Sequence, residues 1–198
     1  MKPFFLFSGT SNPDLADAIA SKLDVEPGSV DITRFIDNEC RVQVKEDVTG
    51  KHVFVLQSLS QIADQHLVEL CLIGNALESL GASKITAVIP WMGYSKQDRA
   101  FRRGEAVSAQ LVAKFIESAG FTGVVTLELH SENVLQFFRI PVHELSTQQI
   151  LHDAFVKAGG LDDPKTTIVV SPDSGGKTRS EKFANSYGLN YYFDKKEK

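Results

Sequence analysis

The nine residues Ser171–Arg179 read SPDSGGKTR. Asp173 stands on a turn with Gly175 and Gly176, and Lys177 and Arg179 open the segment that follows. Glycines let backbone N–H groups approach an anion, and a helix start adds positive dipole. A carboxylate there can hold Mg2+, which takes oxygen ligands and leaves waters for a phosphate substrate. The same residues also suit a plain turn capped by an aspartate. The spacing of a Walker A loop fails. His130 closes VVTLELH, with Glu128 two residues earlier on the same strand face. A histidine at that position can bind metal, shuttle a proton or simply pack. Between Lys96 and Arg103 five charged residues fall in eight positions, with Gln97 among them and Trp91 and Tyr94 just before. Lys96, Arg99, Arg102 and Arg103 beside aromatics suit a polyphosphate and a stacked base, and a solvated loop reads the same way. RFIDNE at 34–39 sets Phe35 beside Asp37 and Glu39; Phe35 is either exposed or core.

Something must carry these groups to one place. Short apolar runs alternate with helical periodicity. Strands are expected at 4–7, 53–56, 85–89, 124–129, 167–170 and 191–193. The helix after Asn12 starts on Pro13, with Leu15, Ile19 and Leu23 on one face. Further helices are expected at 62–80 (Leu67, Leu70, Cys71, Leu77 and Leu80 inward), 107–119 (Leu111, Phe115), 147–158 and 179–187. An antiparallel excursion is expected over SVDITRF and CRVQVKED, closed by the turn VTGK at 48–51. Strands alternating with helices mean an α/β fold, a parallel sheet with helices on both faces. In such sheets ligands bind beyond the carboxyl ends of the strands, and every candidate above follows a strand.

The strand–turn–helix passages SGTSNPDLADAIASKL and SPDSGGKTRSEKFANSYG echo each other. They suggest two α/β domains of similar design, residues 1–145 and 146–198, with the second incomplete in this chain. The composition sets bounds. With 21 Lys plus Arg against 25 Asp plus Glu, the net charge is −4, which argues against nucleic acid as the main partner. The first residues, MKPFFLF, are too short an apolar run for a signal peptide, and no run of 18 apolar residues offers a membrane span. Two cysteines, Cys40 and Cys71, fit a reducing cytoplasm better than a disulfide framework.

Taken together the segments SGTSNPDLA, RFIDNE, IPWMGYSKQDR, ELHSENVLQFFRIPV and VVSPDSGGKTR resemble, in order, motifs of the ribose-phosphate pyrophosphokinase family. The family's versions are Ser-Gly-x-x-Asn-x-x-Leu-Ala, Arg-Phe-x-Asp-x-Glu, Ile-Pro-Tyr-x-Gly-Tyr-x-Arg-Gln-Asp-Arg, Asp-Leu-His before Phe-Phe-x-x-Pro-Val, and Val-Val-Ser-Pro-Asp-x-Gly-Gly. The resemblance implies two similar phosphoribosyltransferase-like domains. It also implies a Mg2+-dependent transfer of the β,γ-diphosphoryl group of ATP to ribose 5-phosphate. Phe35, Asp37 and Glu39 would meet the adenine from a neighbouring subunit, in dimers that assemble to hexamers. Lys96, Gln97 and Arg99 would contact ATP. His130 would act in catalysis and, with Asp173, at the metal. Lys195 or Lys196 would supply the first cation of a mobile catalytic loop. Lys96, His130 and Asp173 would then surround one magnesium-bound triphosphate. Lys96 stands where the motif has Arg, and Glu128 where it has Asp. The alternative is a non-catalytic, nucleotide-binding relative that associates with active subunits.

Overall fold

The computed structural model describes residues 4–159 and 164–193. Backbone contacts divide the chain into Met1–Leu145 and Ser146–Lys198. The first unit is built on five parallel strands: β1 (Phe5–Ser8), β4 (His52–Leu56), β5 (Lys84–Ile89), β6 (Gly123–Leu127) and β7 (Val142–Leu145), paired in that order. A separate antiparallel pair joins β2 (Val30–Arg34) to β3 (Cys40–Val44). The helices are α1 (Pro13–Lys22), α2 (Ala63–Ser79) and α3 (Ser108–Ser118), with a 3-10 turn at Glu132–Phe137.

Alternation along the strands sends side chains to two separate cores. Phe7, Val53, Val55, Ile85, Ala87, Ile89 and Val124 pack with Leu70, Ile73 and Leu77 of α2 and Val112 and Ile116 of α3. Leu6 and Leu56 pack on the other face against Ala16 and Ala20 of α1. Asn12 caps α1, its Oδ1 accepting from Leu15 N at 3.2 Å, and Pro13 occupies the first turn, where its missing N–H costs nothing. Small residues on the inner face of α1 let the helix lie close to the sheet.

Several expectations are corrected. The hairpin is closed by Phe35–Glu39, where Phe35 N donates to Glu39 O at 2.9 Å, and not by 48–51. Val48–Lys51 instead turns the chain into β4, with Val48 fully buried. The strand expected to reach residue 129 stops at Leu127, because Glu128 takes a positive φ of 42°. That break removes the argument that Glu128 and His130 share a strand face. On α3 the inward side is Ala109, Val112, Ala113 and Ile116, while Leu111 and Phe115 are about half exposed. Leu80 is likewise exposed, lying just past the end of α2. Strand β7 was not among the expected strands.

The second unit holds α4 (Gln148–Lys157), β8 (Ile168–Ser171), α5 (Lys177–Tyr187) and β9 (Asn190–Phe193), with β8 and β9 parallel. His152 of α4 stacks on Tyr187 of α5 at 3.8 Å between ring centroids. Gly188 ends α5 in the left-handed region, φ 64°, where a side chain would be strained. No described helix is long and apolar enough to cross a membrane.

Both cysteines are free. Burial pushes the Cys71 thiol up to about 11, and its Sγ lies 3.8 Å from Phe115 O, to which it donates. The thiolate is the nucleophile, so alkylation of Cys71 by iodoacetamide at pH 8 is expected to run roughly two hundred-fold slower than for an ordinary cysteine. Peptide mass spectrometry of a labelling time course reads this directly. Labelling at the rate of a free thiol would mean that α2 and α3 do not pack as described.

Candidate functional site

The carboxyl ends of β4 and β5 open into a cavity of about 350 Å³ lined by Leu59, Ser60, Gln61, Ala63, Trp91, Met92, Gly93, Tyr94, Ser95, Lys96 and Gln97. Its two walls are zipped together. Leu59 N donates to Trp91 O at 2.9 Å, and Gly93 lies so close to Leu59 that a Cβ there would sit 2.3 Å from the Leu59 carbonyl oxygen. Only glycine allows that approach. Tyr94 is held at φ 63°, a conformation that costs a non-glycine residue energy, and its hydroxyl donates to the Asp64 carboxylate at the start of α2. Lys96 is exposed and Gln97 half-buried at the rim. Gln97 Oε1 accepts from Ser108 Oγ at 2.7 Å, which ties the rim to the start of α3.

Arg99, Arg102 and Arg103 continue the rim as exposed cations. Their loop is shaped by two carboxylates. Glu105 Oε2 accepts from Phe101 N at 2.8 Å and Arg102 N at 2.9 Å. Asp98 is bonded by Ser131 and Asn133, the latter at 3.0 Å, and those bonds hold its carboxyl below the usual range. Ser131 follows His130 directly. The basic loop and the His130 turn are therefore fastened to one another at the same sheet edge. His130 itself is exposed, and the break at Glu128 aims it independently of β6.

Phe35, Asp37 and Glu39 lie on the hairpin tip and do not line this cavity. Phe35 is 52% exposed and Ile36 fully so, which answers the core-or-exposed question for Phe35. Arg34 Nη2 donates to Gln65 Oε1 at 3.2 Å, anchoring the hairpin on α2. Arg34, Glu39 and Cys40 instead line a neighbouring hollow with Asp64, Gln65 and Val68.

In the second unit Asp173 Oδ1 accepts from Gly176 N at 2.8 Å, and Ser171 Oγ donates to Asp173 O at 2.8 Å. One carboxylate oxygen thus shapes the turn. The exposed turn leaves α5 opening on Lys177, Thr178 and Arg179. Among the described residues no three or more His, Cys, Asp or Glu side chains are grouped to hold a metal ion. A single carboxylate such as Asp173 fits Mg2+ in the mode where substrate phosphates and water complete the shell. An imidazole such as His130 is a softer donor than that ion prefers. Lys195 and Lys196 lie outside the described residues.

A larger groove of about 440 Å³ opens beside α1, lined by Phe4, Leu6, Ile19, Leu23, His52, Phe54, Leu56 and Val88. Among the described residues its lining holds no Lys or Arg, and burial lowers the pKa of His52, which favours the neutral ring. The 91–103 edge, by contrast, supplies four cations.

Sequence reasoning missed the support beneath the edge. Glu69 of α2 is 1% exposed and Gln57, just after β4, is fully buried. The available signal was a glutamate on the inward stripe of α2, four residues before Ile73 and next to Leu70.

A family model for the N-terminal domain of ribose phosphate pyrophosphokinase matches residues 4–120. The chain is 40% identical over 180 residues to a ribose-phosphate pyrophosphokinase 1 of Listeria monocytogenes, covering 91% of this chain and 56% of that protein. It is 41% identical over 179 residues to a ribose-phosphate pyrophosphokinase 2 of Enterococcus faecalis, covering 90% and 55%. The fold matches a crystal structure of phosphoribosylpyrophosphate synthetase from Mycobacterium smegmatis with a TM-score of 0.89 and 35% identity, over 97% of this chain and 64% of that one. The chain thus spans about half the length of the curated relatives it matches.

Proposed function

The chain belongs to the ribose-phosphate pyrophosphokinase family, and from that premise we propose that it is a Mg2+-dependent diphosphokinase that makes phosphoribosyl pyrophosphate and AMP from ATP and ribose 5-phosphate. The C1 hydroxyl oxygen of the sugar bonds to the β-phosphorus of ATP. The bond from that phosphorus to the α–β bridging oxygen breaks, AMP leaves with the electron pair, and the hydroxyl proton is lost. Such transfers depend on positioning and charge neutralisation more than on covalent chemistry by the protein.

The observation that carries this reading is the cavity after β4 and β5 with its cationic rim. Its volume lies within the range of small-molecule sites, about 300–1,000 Å³. Lys96 and Arg99 attract the triphosphate. Lys96 acts as a point charge where the motif's Arg would offer a planar fork. Gln97 lines the cavity with its side-chain oxygen already engaged, leaving its amide N–H groups for the nucleotide. His130, Lys195 and Lys196 are the proposed catalytic groups. Asp173 would hold Mg2+, which, when bound, would neutralise charge on the phosphoryl groups.

The exposed hairpin tip supports Phe35, Asp37 and Glu39 reaching the adenine of a neighbouring subunit, in dimers that assemble to hexamers. Val68 and Leu72 on α2 and Leu111 and Phe115 on α3 leave an apolar stripe open to solvent, as subunit contact requires. Two free cysteines suit the cytoplasm.

The second reading, a non-catalytic nucleotide-binding relative, draws on Lys96 and Glu128 standing where the motifs have Arg and Asp. Chromatography of the nucleotide products separates the two. AMP that forms from ATP only when ribose 5-phosphate is present supports the kinase. Saturable ATP binding with no AMP supports the binding relative when the protein tested runs the full length of the curated relatives, since a chain spanning about half of it is expected to bind ATP and make no AMP.

A further inference from the structure

Two loops supply the foundation of the nucleotide edge, Gly9–Asn12 after β1 and Gln57–Ile62 after β4, and a buried carboxylate lies beneath both. Glu69 Oε1 accepts from Thr10 N at 2.6 Å and from Gln57 Nε2 at 2.7 Å, and its Oε2 accepts from Thr10 Oγ1 at 2.9 Å. All three donors are neutral, and Glu69 forms no ion pair among the described residues. Burying a charge without a cation is costly and persists only when hydrogen bonds hold it. Gln57 passes the constraint on. Its Oε1 accepts from Ser11 N at 3.1 Å, and its Nε2 also donates to His66 O at 3.3 Å. A Cβ on Gly9 would lie 2.3 Å from Gln57 Oε1, so the first loop is pressed directly onto this side chain. Ser11 Oγ then accepts from Ser58 N at 2.7 Å, joining the first loop to the second. One residue later Leu59 N bonds Trp91 O and opens the cavity wall.

We propose that Glu69 is a positioning residue: through Thr10, Gln57 and Ser11 its buried carboxylate holds the Ser58–Gln61 wall in register with Trp91–Gln97. It touches no substrate. The positional part stands on the hydrogen bonds alone, and only its effect on ATP rests on the nucleotide reading of the cavity.

The experiment is amide hydrogen exchange on the whole chain, followed by Mg·ATP titration, for Glu69→Ala, Glu69→Gln, Ser11→Ala and Leu70→Ala. Leu70 is the next residue on α2 and fully buried, so its truncation destabilises the same helix without touching the network. Glu69→Ala is expected to speed exchange at Ser58 and Leu59 by at least ten-fold relative to Leu70→Ala. Glu69→Gln should stay within about three-fold of the parent, since its side-chain oxygen can still accept from Thr10 N and Gln57. Ser11→Ala removes only the Ser58 link, so it covers the case in which Glu69→Ala does not fold. It should reproduce the loss of protection at Ser58 with little change in melting temperature. Equal exchange at Ser58 and Leu59 in the Glu69→Ala and Leu70→Ala proteins, or parent-like protection at Ser58 in Ser11→Ala, overturns the proposal. For ATP, a dissociation constant raised at least ten-fold in Glu69→Ala but not in Leu70→Ala is expected. If the parent binds no ATP while the exchange pattern holds, the nucleotide reading fails and the positioning role stands.

Discussion

Gly93→Ala is expected to abolish measurable nucleotide binding and to destabilise the first unit. The new methyl would lie 2.3 Å from Leu59 O and 2.9 Å from Leu59 Cβ. Neither neighbour can yield easily, because the first is backbone and Leu59 is 1% exposed. The Trp91–Gln97 segment must therefore lift away, breaking the bond from Leu59 N to Trp91 O and opening the cavity. Overpacking of this kind costs about 1–3 kcal/mol, or about 3–10 °C in melting temperature for a chain of this size. Gly123→Ala is the control. Its Cβ would meet nothing nearer than 3.7 Å and its φ is not positive, so ATP binding and melting should be nearly unchanged. Calorimetric titration with Mg·ATP and a thermal melt read both. Parent-like ATP affinity in Gly93→Ala would mean that the 91–97 wall is not part of the nucleotide site.

Phe35→Ala is expected to weaken ATP binding by roughly ten- to a hundred-fold, because base–aromatic stacking is worth about 1–3 kcal/mol. Melting should hardly move. Phe35 is half exposed, with the Arg41 guanidinium 5.9 Å from its ring centroid. A core phenylalanine would instead cost about 3–5 kcal/mol of stability on truncation. The hairpin tip does not line its own subunit's cavity, so the proposed stacking would be between subunits. Mixing Phe35→Ala with Lys96→Ala protein should then restore part of the binding, since some mixed interfaces carry both native groups. A strong fall in melting temperature with unchanged affinity would make Phe35 a structural residue. Weakened binding that mixing never rescues would place the contact within one subunit.

Much of this architecture was legible from periodicity, and the failures share a cause. Seven of the first unit's elements, β1, α1 with its Asn12–Pro13 start, β4, α2, β5, α3 and β6, announce themselves through local spacing and capping. The hairpin's alternation of Val42 and Val44 with Arg41 and Gln43 was equally plain. What could not be read was anything decided by tertiary packing. Leu111 and Phe115 look like a core stripe, yet Ala109, Val112, Ala113 and Ile116 form the buried face of α3. The strand through Glu128 was expected to continue because every residue to His130 suits an extended chain. Leu129 N donates to Glu144 Oε1 of β7 at 2.7 Å, which fastens the chain just beyond the break.

The candidate site divides in the same way. The cations after Pro90 and the His130 turn stood out by composition, but nothing local joins them. Asp98 does so by bonding Asn133 across 35 residues of sequence. Glu69 and Gln57 were passed over because a lone glutamate in a helix ordinarily faces water. Only the fold brings Thr10 over that carboxylate.

The central claim is that a nucleoside triphosphate sits at the carboxyl ends of β4 and β5 against the basic loop. It is tested most directly by following backbone amide resonances of the chain during titration with Mg·ATP. Saturable shifts should cluster at Leu59–Ala63, Trp91–Gln97, Arg99 and His130. Saturable shifts confined to the apolar groove around Phe54 and Val88, or no saturable shifts at all, would contradict it.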